Sequence, residues 1–288
     1  MKKILILSIL VAVLAALASA AGLFWNDSGQ PFDFVSLRGN LVQIYGKGLY
    51  SFDSVSIVAQ AKAQDALTLF IALPLLLVGI YSTWKKSFRG QMLLTGMLGY
   101  FLYTYCSMCF ATAYNNFFLI YVALFSLSLF AFILAMMAID VDEVNRRLSS
   151  KFPRTGISVV CIISGVFFLL AWAGGRILVP MAAGIFPETL ESYTTLTIQV
   201  LDLGVVMPTA FLTAYLLLRR ERWGAPLAVV FMIKGAALAT AVSMMAFNML
   251  ISGADISLVE LIVFPTLTIA IVYYAIRLFI SLGKTETA

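Results

Sequence analysis

The sequence predicts an all-α fold, a polytopic bundle of about eight transmembrane helices. Of the 288 residues, 62% are hydrophobic and 11% are charged, and the mean hydropathy is +0.99. A water-facing core of this size cannot enclose so much apolar surface, so lipid is expected to cover most of it. Eight long apolar runs and an uneven distribution of basic residues between the loops support the same prediction.

Each apolar run has roughly the 20 residues that a helix needs to cross about 30 Å of hydrocarbon. Polar residues end several of these runs. Lys85, Lys86 and Arg89 follow the second run, and Asn115 and Asn116 separate the third from the fourth. The predicted spans are residues 4–25, 66–84, 91–114, 117–139, 156–175, 196–218, 225–250 and 258–282.

The basic residues predict the orientation of these spans. With the N-terminus inside, Arg38, Lys47, Lys62 and Arg176 lie outside and Lys234 lies within the membrane, while the other 14 of the 19 Lys and Arg residues, including the one at position 284, lie in inner segments. Cationic loops stay in the cytoplasm. Both termini are therefore predicted to be cytoplasmic, in the plasma membrane, and the net charge of +5 requires no nucleic-acid partner.

The first apolar run has a second interpretation, as a secretory signal. Lys2 and Lys3, the apolar stretch and Ala18-Ser19-Ala20 match the pattern of a signal peptide with its cleavage site. The stretch continues beyond the roughly 7 to 15 residues of a signal core, which favours a retained span. Cleavage stays the alternative.

The loop lengths suggest a parallel tandem repeat of two four-helix halves, residues 1–150 and 151–288. Each half has a long outer segment after its first span and a basic turn after its second, and alignment on the glycine that follows each turn places Asp65 near Asp202. Four spans is an even number, so both halves would have one orientation. Chance similarity of loop lengths in a helical bundle is the alternative.

Two outer segments are candidates for a cap over the bundle. Residues 26–64 alternate apolar and polar side chains between glycines, and residues 177–195 contain Pro180 and Pro187. The first is expected to lie in the membrane interface, and together the two segments would cover a cavity. The alternative is that both are connecting loops.

The composition excludes several classes of chemistry. Without histidine there is no His-ligated haem or zinc and no Ser-His or Cys-His nucleophile pair. Three cysteines cannot complete a four-cysteine metal site. We therefore predict no cofactor, no metal and no catalytic residue.

Charged residues inside lipid cost about 2.5 to 3.5 kcal/mol each on insertion scales, so each one is a candidate functional residue. Asp202 lies about 25 Å from the inner boundary of its helix, at 1.5 Å per residue, and Gln199 lies on the same helical face. Glu260 reaches a similar level and Asp65 lies one turn higher. These carboxylates are expected to form an acidic ring open to the outside, unless Asp65 and Glu260 simply stabilise helix N-termini.

Lys234 lies deeper, about 18 Å from the inner boundary. The difference in depth leaves a gap of about 8 Å between this lysine and Asp202, and side chains on antiparallel helices lean toward their own N-termini, which widens the gap that a direct ion pair would have to bridge. Water, a bound solute or snorkelling of the lysine are the alternatives to direct contact.

Hydroxyl groups follow one face of the third span, at Tyr100, Thr104, Ser107 and Tyr114, with Tyr103 beside them. Alignment of the two halves places Tyr100 at the level of the intramembrane lysine. Hydrogen bonds between helices are the simpler interpretation and a solute path is the second.

Two enzymatic hypotheses rest on few residues. Cys106 and Cys109 form a C-x-x-C pair that is similar to that of membrane thiol oxidases, but no second pair lies on the outer side, and buried cysteine is a common small hydrophobe. Asp33 and Asp53 would suit a lipid-linked sugar transferase, for which the chain is short.

Several stretches resemble a family of prokaryotic multi-pass membrane proteins without assigned activity. They are Ala63-Gln64-Asp65, the stretch GYFLYTY at 99–105 and FLIYVALFSLSLF at 118–130, with a weaker echo in Asp202-Leu203-Gly204 and Lys234-Gly235. The resemblance covers most of spans two to four and implies a membrane location and an eight-helix plan, but no substrate.

The leading functional hypothesis is the handling of a small solute or ion at an outward-facing polar cavity. A non-catalytic partner or scaffold subunit of a membrane complex is the alternative, and a thiol-redox or lipid-linked enzyme is third. The lipid bilayer is the one partner that the sequence predicts. The predicted substrate-binding residues are Asp202, Gln199, Lys234, Glu260, Asp65 and Tyr100.

Overall fold

A computed structural model of the chain describes residues 1–283, so Lys284, counted above among the inner cations, lies outside the described residues. In the described part, eight helices are long and apolar enough to cross a membrane, which confirms the all-α polytopic fold. Spans 1 to 8 are Lys2–Phe24, Val55–Trp84, Phe88–Ala111, Phe118–Met137, Arg154–Ala182, Thr197–Leu218, Gly224–Ile251 and Leu258–Ser281.

Spans 2 and 5 are longer than the sequence predicts. Span 2 begins at Val55 rather than at 66, because the Ser54 hydroxyl caps the helix by accepting from the Ile57 N–H at 3.2 Å. Span 5 continues to Ala182 rather than ending at 175, because a wide π-helical segment carries it through the Gly174-Gly175 pair. Both additions extend the helices at the same end of the bundle, where span 2 begins and span 5 ends.

Three spans combine a π-helical segment with a proline that follows it. The pairs are Thr68–Ala72 with Pro74 in span 2, Leu169–Leu178 with Pro180 in span 5, and Asp202–Val206 with Pro208 in span 6. Proline removes a backbone donor, and a π-bulge is one way for a helix to accommodate the lost hydrogen bond. The common pattern in spans 2 and 6 is what a tandem repeat would give, although the repeat itself stays a prediction.

The segment between spans 1 and 2 contains a β-hairpin. Strand β1 (Phe32–Val35) pairs antiparallel with β2 (Leu41–Ile44), and Gly39 takes a φ of 81° in the turn between them. We call the end of the bundle that carries this hairpin the hairpin side. The opposite end, with the turn at Lys85 and Lys86, is the basic side.

The two halves are joined on the hairpin side by a set of contacts that we call the roof clamp. One Arg38 nitrogen donates to the backbone carbonyls of Glu191 and Tyr193, at 2.7 Å each. The Tyr193 hydroxyl donates to Asp53 Oδ1 at 2.7 Å, and the Ser54 hydroxyl donates to the Glu191 carboxylate. The clamp therefore fixes the loop between spans 5 and 6 against the first half, while its role as a cap over a cavity stays a prediction.

The two halves also meet within the membrane and on the basic side. Spans 3 and 7 pack closely where a Cβ on Gly96 would lie 2.5 Å from Ile233. On the basic side, the short helix Val141–Arg146 brings Asp142 to within 2.5 Å of Arg222. The halves are thus joined at three levels.

The interior is packed unevenly. The buried aromatic side chains of the described residues all lie in the first half: Tyr50, Tyr100, Phe101, Tyr105 and Tyr121. The second half buries aliphatic side chains such as Leu217 and Leu278 together with small residues such as Ala210 and Ala241, and none of its described aromatic side chains is buried. Its interior therefore leaves space.

Candidate functional site

A cavity of about 1160 Å³ lies among the spans of the second half and is bounded on one side by spans 2 and 3 of the first half. Spans 3, 5, 6, 7 and 8 and the start of span 2 form its walls, and loop residues 188–197 and 252–256 surround its upper end on the hairpin side. At its lower end it reaches Cys161, which lies about 10 Å from Arg154 at the start of span 5, at 1.5 Å per residue. The cavity thus extends through most of the membrane thickness.

Asp202 lies in the wall of this cavity at the start of the π-helical segment of span 6. Its Oδ1 accepts from the Tyr103 hydroxyl at 2.7 Å, and its Oδ2 accepts from the Trp172 indole N–H at 2.8 Å. The side chain is 5% exposed. Two donors from different helices therefore fix the orientation of a carboxylate next to open space.

Lys234 makes no ion pair with Asp202 in the described structure. Its ammonium lies over the ring of Tyr103, 4.9 Å from the centroid, in a cation–π contact. Tyr103 thus contacts the lysine with its ring face and the carboxylate with its hydroxyl. The gap expected from the depth of the two charges is occupied by an aromatic side chain, which was not among the alternatives of water, solute or snorkelling.

Gln199 lies one helical turn before Asp202 and lines the same cavity. It is 9% exposed, and its amide keeps accessible surface and makes no hydrogen bond within residues 1–283. Such an amide is available to a hydrogen-bond partner in the adjoining space. The cavity is the space from which a partner would come.

Glu260 lies at the upper rim of the cavity and has two roles there. It forms an ion pair with Arg176 of span 5, and it completes a capping box with Ser257, whose hydroxyl donates to Glu260 Oε2 at 2.9 Å. The expectation that this residue stabilises a helix N-terminus is confirmed. The ion pair also ties span 8 to span 5 at the entrance.

Asp65 and Tyr100 lie away from the cavity, so the expected ring of three carboxylates does not form. Asp65 faces span 1, where its Oδ2 accepts from the Tyr50 hydroxyl at 2.6 Å and fills the space beside Gly22. It is eleven residues into its helix, so the N-terminal interpretation is wrong for this residue. Tyr100 is fully buried and bonds to Gln64 and Thr68, as the helix-contact interpretation expected.

The cavity lining carries an excess of negative charge. Its acidic residues are Glu188, Glu191, Asp202, Asp255 and Glu260, and its basic residue is Arg176. Aromatic rings form much of the remaining wall, among them Tyr103, Phe110, Phe167, Phe168, Trp172, Phe231 and Phe264. Carboxylates among aromatic faces favour a positively charged, partly apolar ligand.

The cysteines and the possible metal ligands give less support for a function than the cavity does. Cys106, Cys109 and Cys161 are free thiols. Within residues 1–283, no group of three or more Cys, Asp or Glu side chains is placed to hold a metal ion. Asp53, named above as a candidate for transferase chemistry, instead accepts from the Ala113 N–H and the Tyr193 hydroxyl in the roof clamp.

Comparisons of the chain with protein families, with curated proteins and with solved structures give no match. The resemblance to prokaryotic eight-helix membrane proteins therefore stays a prediction from the sequence. Any function has to be argued from the cavity and the residues around it.

Proposed function

We propose that the protein is a membrane carrier that binds a small organic cation in the cavity of its second half. The observation that carries the proposal is Asp202, a buried carboxylate held by Tyr103 and Trp172 beside about 1160 Å³ of open space. In a low-dielectric interior a carboxylate attracts a cation much more strongly than it does in water. The aromatic walls add cation–π contacts for the same ligand.

The closed basic side supports a carrier rather than an open channel. A Cβ on Gly156 would lie 2.2 Å from the ring of Tyr274, so spans 5 and 8 are in tight contact below the cavity. Arg154 donates to the Leu217 carbonyl at 2.9 Å and links spans 5 and 6 at the same level. Access from one side at a time is the requirement of alternating access, and helices interrupted near mid-membrane are common in such transporters.

The orientation is part of the proposal. We place the protein in the plasma membrane with the basic side in the cytoplasm, because cationic loops are retained there. Reporters fused after Trp84, Ile139 and Leu218 should then read cytoplasmic, and reporters near Asn115 and Ala254 should read external. An external reading after Trp84 or Leu218 would reverse the direction in which the cavity opens.

Calorimetry on the full chain in lipid nanodiscs tests the binding proposal. Tetramethylammonium is the cationic probe and acetate is the anionic control. Asp202→Asn should weaken binding of the cation about tenfold or more, which corresponds to about 1.4 kcal/mol or more. Asp65→Asn is the matched control, because it neutralises a buried carboxylate of the first half that does not line the cavity, and it should leave binding unchanged.

The absence of cation binding, or equal binding by the Asp202→Asn variant, would contradict the proposal. Uptake of radiolabelled tetramethylammonium into vesicles then separates a carrier from a protein that only binds. A carrier should show saturable uptake that Asp202→Asn abolishes.

A scaffold role is the second candidate, and the surface of span 8 is the observation that favours it. Leu258 is 77% exposed, Ile262 67% and Ile269 71%, so this span offers a long apolar face. Lipid would cover such a face, and so would a helix of a partner protein. Negative binding results for every cation tested would make this the leading function.

A further inference from the structure

Spans 5 and 6 pack more loosely toward the hairpin side than near the basic side. A Cβ on Gly165 of span 5 would lie 2.8 Å from the ring of Phe211 in span 6, so the two helices are closely packed at this level. Higher up, a Cβ on Gly174 of span 5 or on Gly204 of span 6 would meet no atom within 4 Å. Both helices are π-helical at that level, and the hydrogen bond from Trp172 to the aspartate of span 6 links them. The two spans therefore leave unfilled space beside this link.

A second, smaller cavity of about 340 Å³ lies in this gap. Its lining is apolar apart from one amide: Ile177, Leu196, Gln199, Val200, Leu203 and Gly204. Val200 is 62% exposed and Gly204 is also exposed, so the gap faces the lipid-facing surface of the bundle. By the rise of about 1.5 Å per residue, this apolar recess lies near the outer edge of the hydrocarbon region, where acyl chains meet the head groups.

Gln199 lines both cavities and marks the point where they adjoin. Its amide makes no hydrogen bond in the described residues and keeps accessible surface between an apolar recess and an acidic cavity. Asp202 lies one helical turn away on the cavity side. A polar group passing from the recess into the cavity would meet the amide first and the carboxylate next.

We propose that the gap between spans 5 and 6 is a lateral portal through which an amphiphile with a cationic head group and a single alkyl chain enters from the bilayer. The ammonium head binds at Gln199 and Asp202, and the chain lies in the recess along Ile177 and Leu203. This inference rests on the proposed function, because it uses the same cation site, and it names the substrate class as a membrane-dissolved alkylammonium.

Photolabelling in phosphatidylcholine vesicles tests the portal. The probe is dodecylamine with a diazirine on its alkyl chain, and the labelled positions are mapped by mass spectrometry of the full chain after digestion. Labelling of residues 196–204 should saturate and fall about tenfold with excess unlabelled dodecylamine, as expected for a site rather than for dissolved lipid. Labelling at Leu258, Ile262 and Ile269 of span 8, which are exposed and do not line the cavity, should not respond to the competitor.

Gly204→Phe fills the gap and should reduce the competable labelling about tenfold, because the added ring occupies the space of the chain. Val205→Phe is the matched control, since Val205 is the next residue, is 53% exposed and lines neither cavity. It should label like the natural protein. If Gly204→Phe does not fold, Leu203→Trp closes the same gap.

Binding of methylamine distinguishes the portal from the proposed function on which it rests. Methylamine carries a single methyl group in place of the long chain, so it would reach the cavity from water without using the portal. Its binding, followed by calorimetry, should survive Gly204→Phe and be lost in Asp202→Asn. If methylamine binds but the competable labelling is absent or insensitive to Gly204→Phe, the portal is refuted and the cation site stands. If no amine binds at all, the proposed function fails as well.

Discussion

Spans 2 and 6 can be compared closely, because each contains a π-helical segment, a proline two residues beyond it and a straight helix leading to a basic turn. Each also carries a buried aspartate, Asp65 or Asp202. In the first half Asp65 is enclosed by Tyr50 and by the backbone at Gly22. In the second half Asp202 faces a cavity of about 1160 Å³. Similar helices thus surround a filled interior in one half and an open one in the other.

The difference lies in the neighbours rather than in the two helices themselves. The segment between spans 1 and 2 inserts Tyr50 into the first half, where it reaches the aspartate of span 2. The corresponding segment of the second half, after span 5, is held across the top of the bundle by the roof clamp instead. A carboxylate in a membrane bundle is therefore a packing element or an accessible charge according to whether neighbouring side chains fill all the space beside it.

The largest expected effect on the free energy of unfolding comes from removing a buried aromatic side chain from the first half. Phe101 is fully buried between Tyr100 and Tyr105, and Phe101→Ala should cost about 3 to 5 kcal/mol through lost contacts and a new cavity. Phe264→Ala, which enlarges a cavity that already exists, should cost much less. Unfolding in mixed micelles by added denaturing detergent measures both. Equal losses would mean that the second half is packed as tightly as the first.

The next effect concerns the roof clamp and its dependence on pH. Burial raises the pKa of Asp53 from 3.8 to about 6, although the Ala113 N–H and the Tyr193 hydroxyl donate to it. The folded protein then holds a proton that the unfolded chain releases near pH 4. Stability from this group is therefore fully present below about pH 4 and is lost as pH rises through about 6, by at most about 3 kcal/mol.

Asp53→Asn removes this titration, so the difference in unfolding free energy between the variant and the natural protein should change between pH 4 and 7. The difference between the two proteins is the quantity to measure, rather than the pH profile of either one, because Glu191 titrates in both. Burial raises the pKa of Glu191 as well. A difference that is constant over this range would contradict the assignment of the proton to Asp53.

A pair of glycines gives an intermediate effect. A Cβ on Gly22 would lie 1.9 Å from Asp65 Oδ2, so Gly22→Ala should destabilise the first half by about 1 to 3 kcal/mol. A Cβ on Gly204 meets nothing within 4 Å, so Gly204→Ala should be neutral or stabilising by up to about 1 kcal/mol. The same detergent titration compares the two variants. A destabilised Gly204→Ala protein would mean that the gap between spans 5 and 6 is closed.

The smallest effect on stability, and the sharpest test of access, comes from cysteine substitution. Ala72 and Val206 both lie two residues before the proline of their span, but Val206 lines the cavity and Ala72 is fully buried. In a background without the natural cysteines, Val206→Cys should react with a small water-soluble methanethiosulfonate, and Ala72→Cys should not. Comparable rates would remove the distinction between the two halves.

The sequence predicts most of the fold because apolar runs and charged turns determine where spans begin and end. The predicted ends fail where another signal overrides hydropathy. Span 2 starts at the Ser54 cap and passes polar residues such as Gln60, and this cap was readable from the sequence as a serine before a helical stretch. The π-helical turns that carry span 5 through Gly174-Gly175 have no comparable sequence signal.

The sequence predicts how deep the candidate site residues lie in the membrane, but not which way their side chains point. The rise per residue places Asp202 and Asp65 at related levels, yet it does not say which way each side chain points around its helix axis. Asp202 and Gln199 face the cavity, whereas Asp65 faces span 1. Trp172, which donates to Asp202, was not identified, because an isolated tryptophan near a membrane interface is common.

The long reach of Arg38 bears on the order in which the protein is made. Its partners at Glu191 and Tyr193 are more than 150 residues further along the chain. At a synthesis rate of roughly 5 to 20 residues per second, they leave the ribosome about 8 to 30 s after Arg38 does. During that interval the first half can fold around its own core. Arg38 then still lacks both of its carbonyl partners, and Asp53 still lacks the Tyr193 hydroxyl. The contacts of the roof clamp are thus a late event of biogenesis, and they form only after span 5, which is itself a wall of the cavity, has been made.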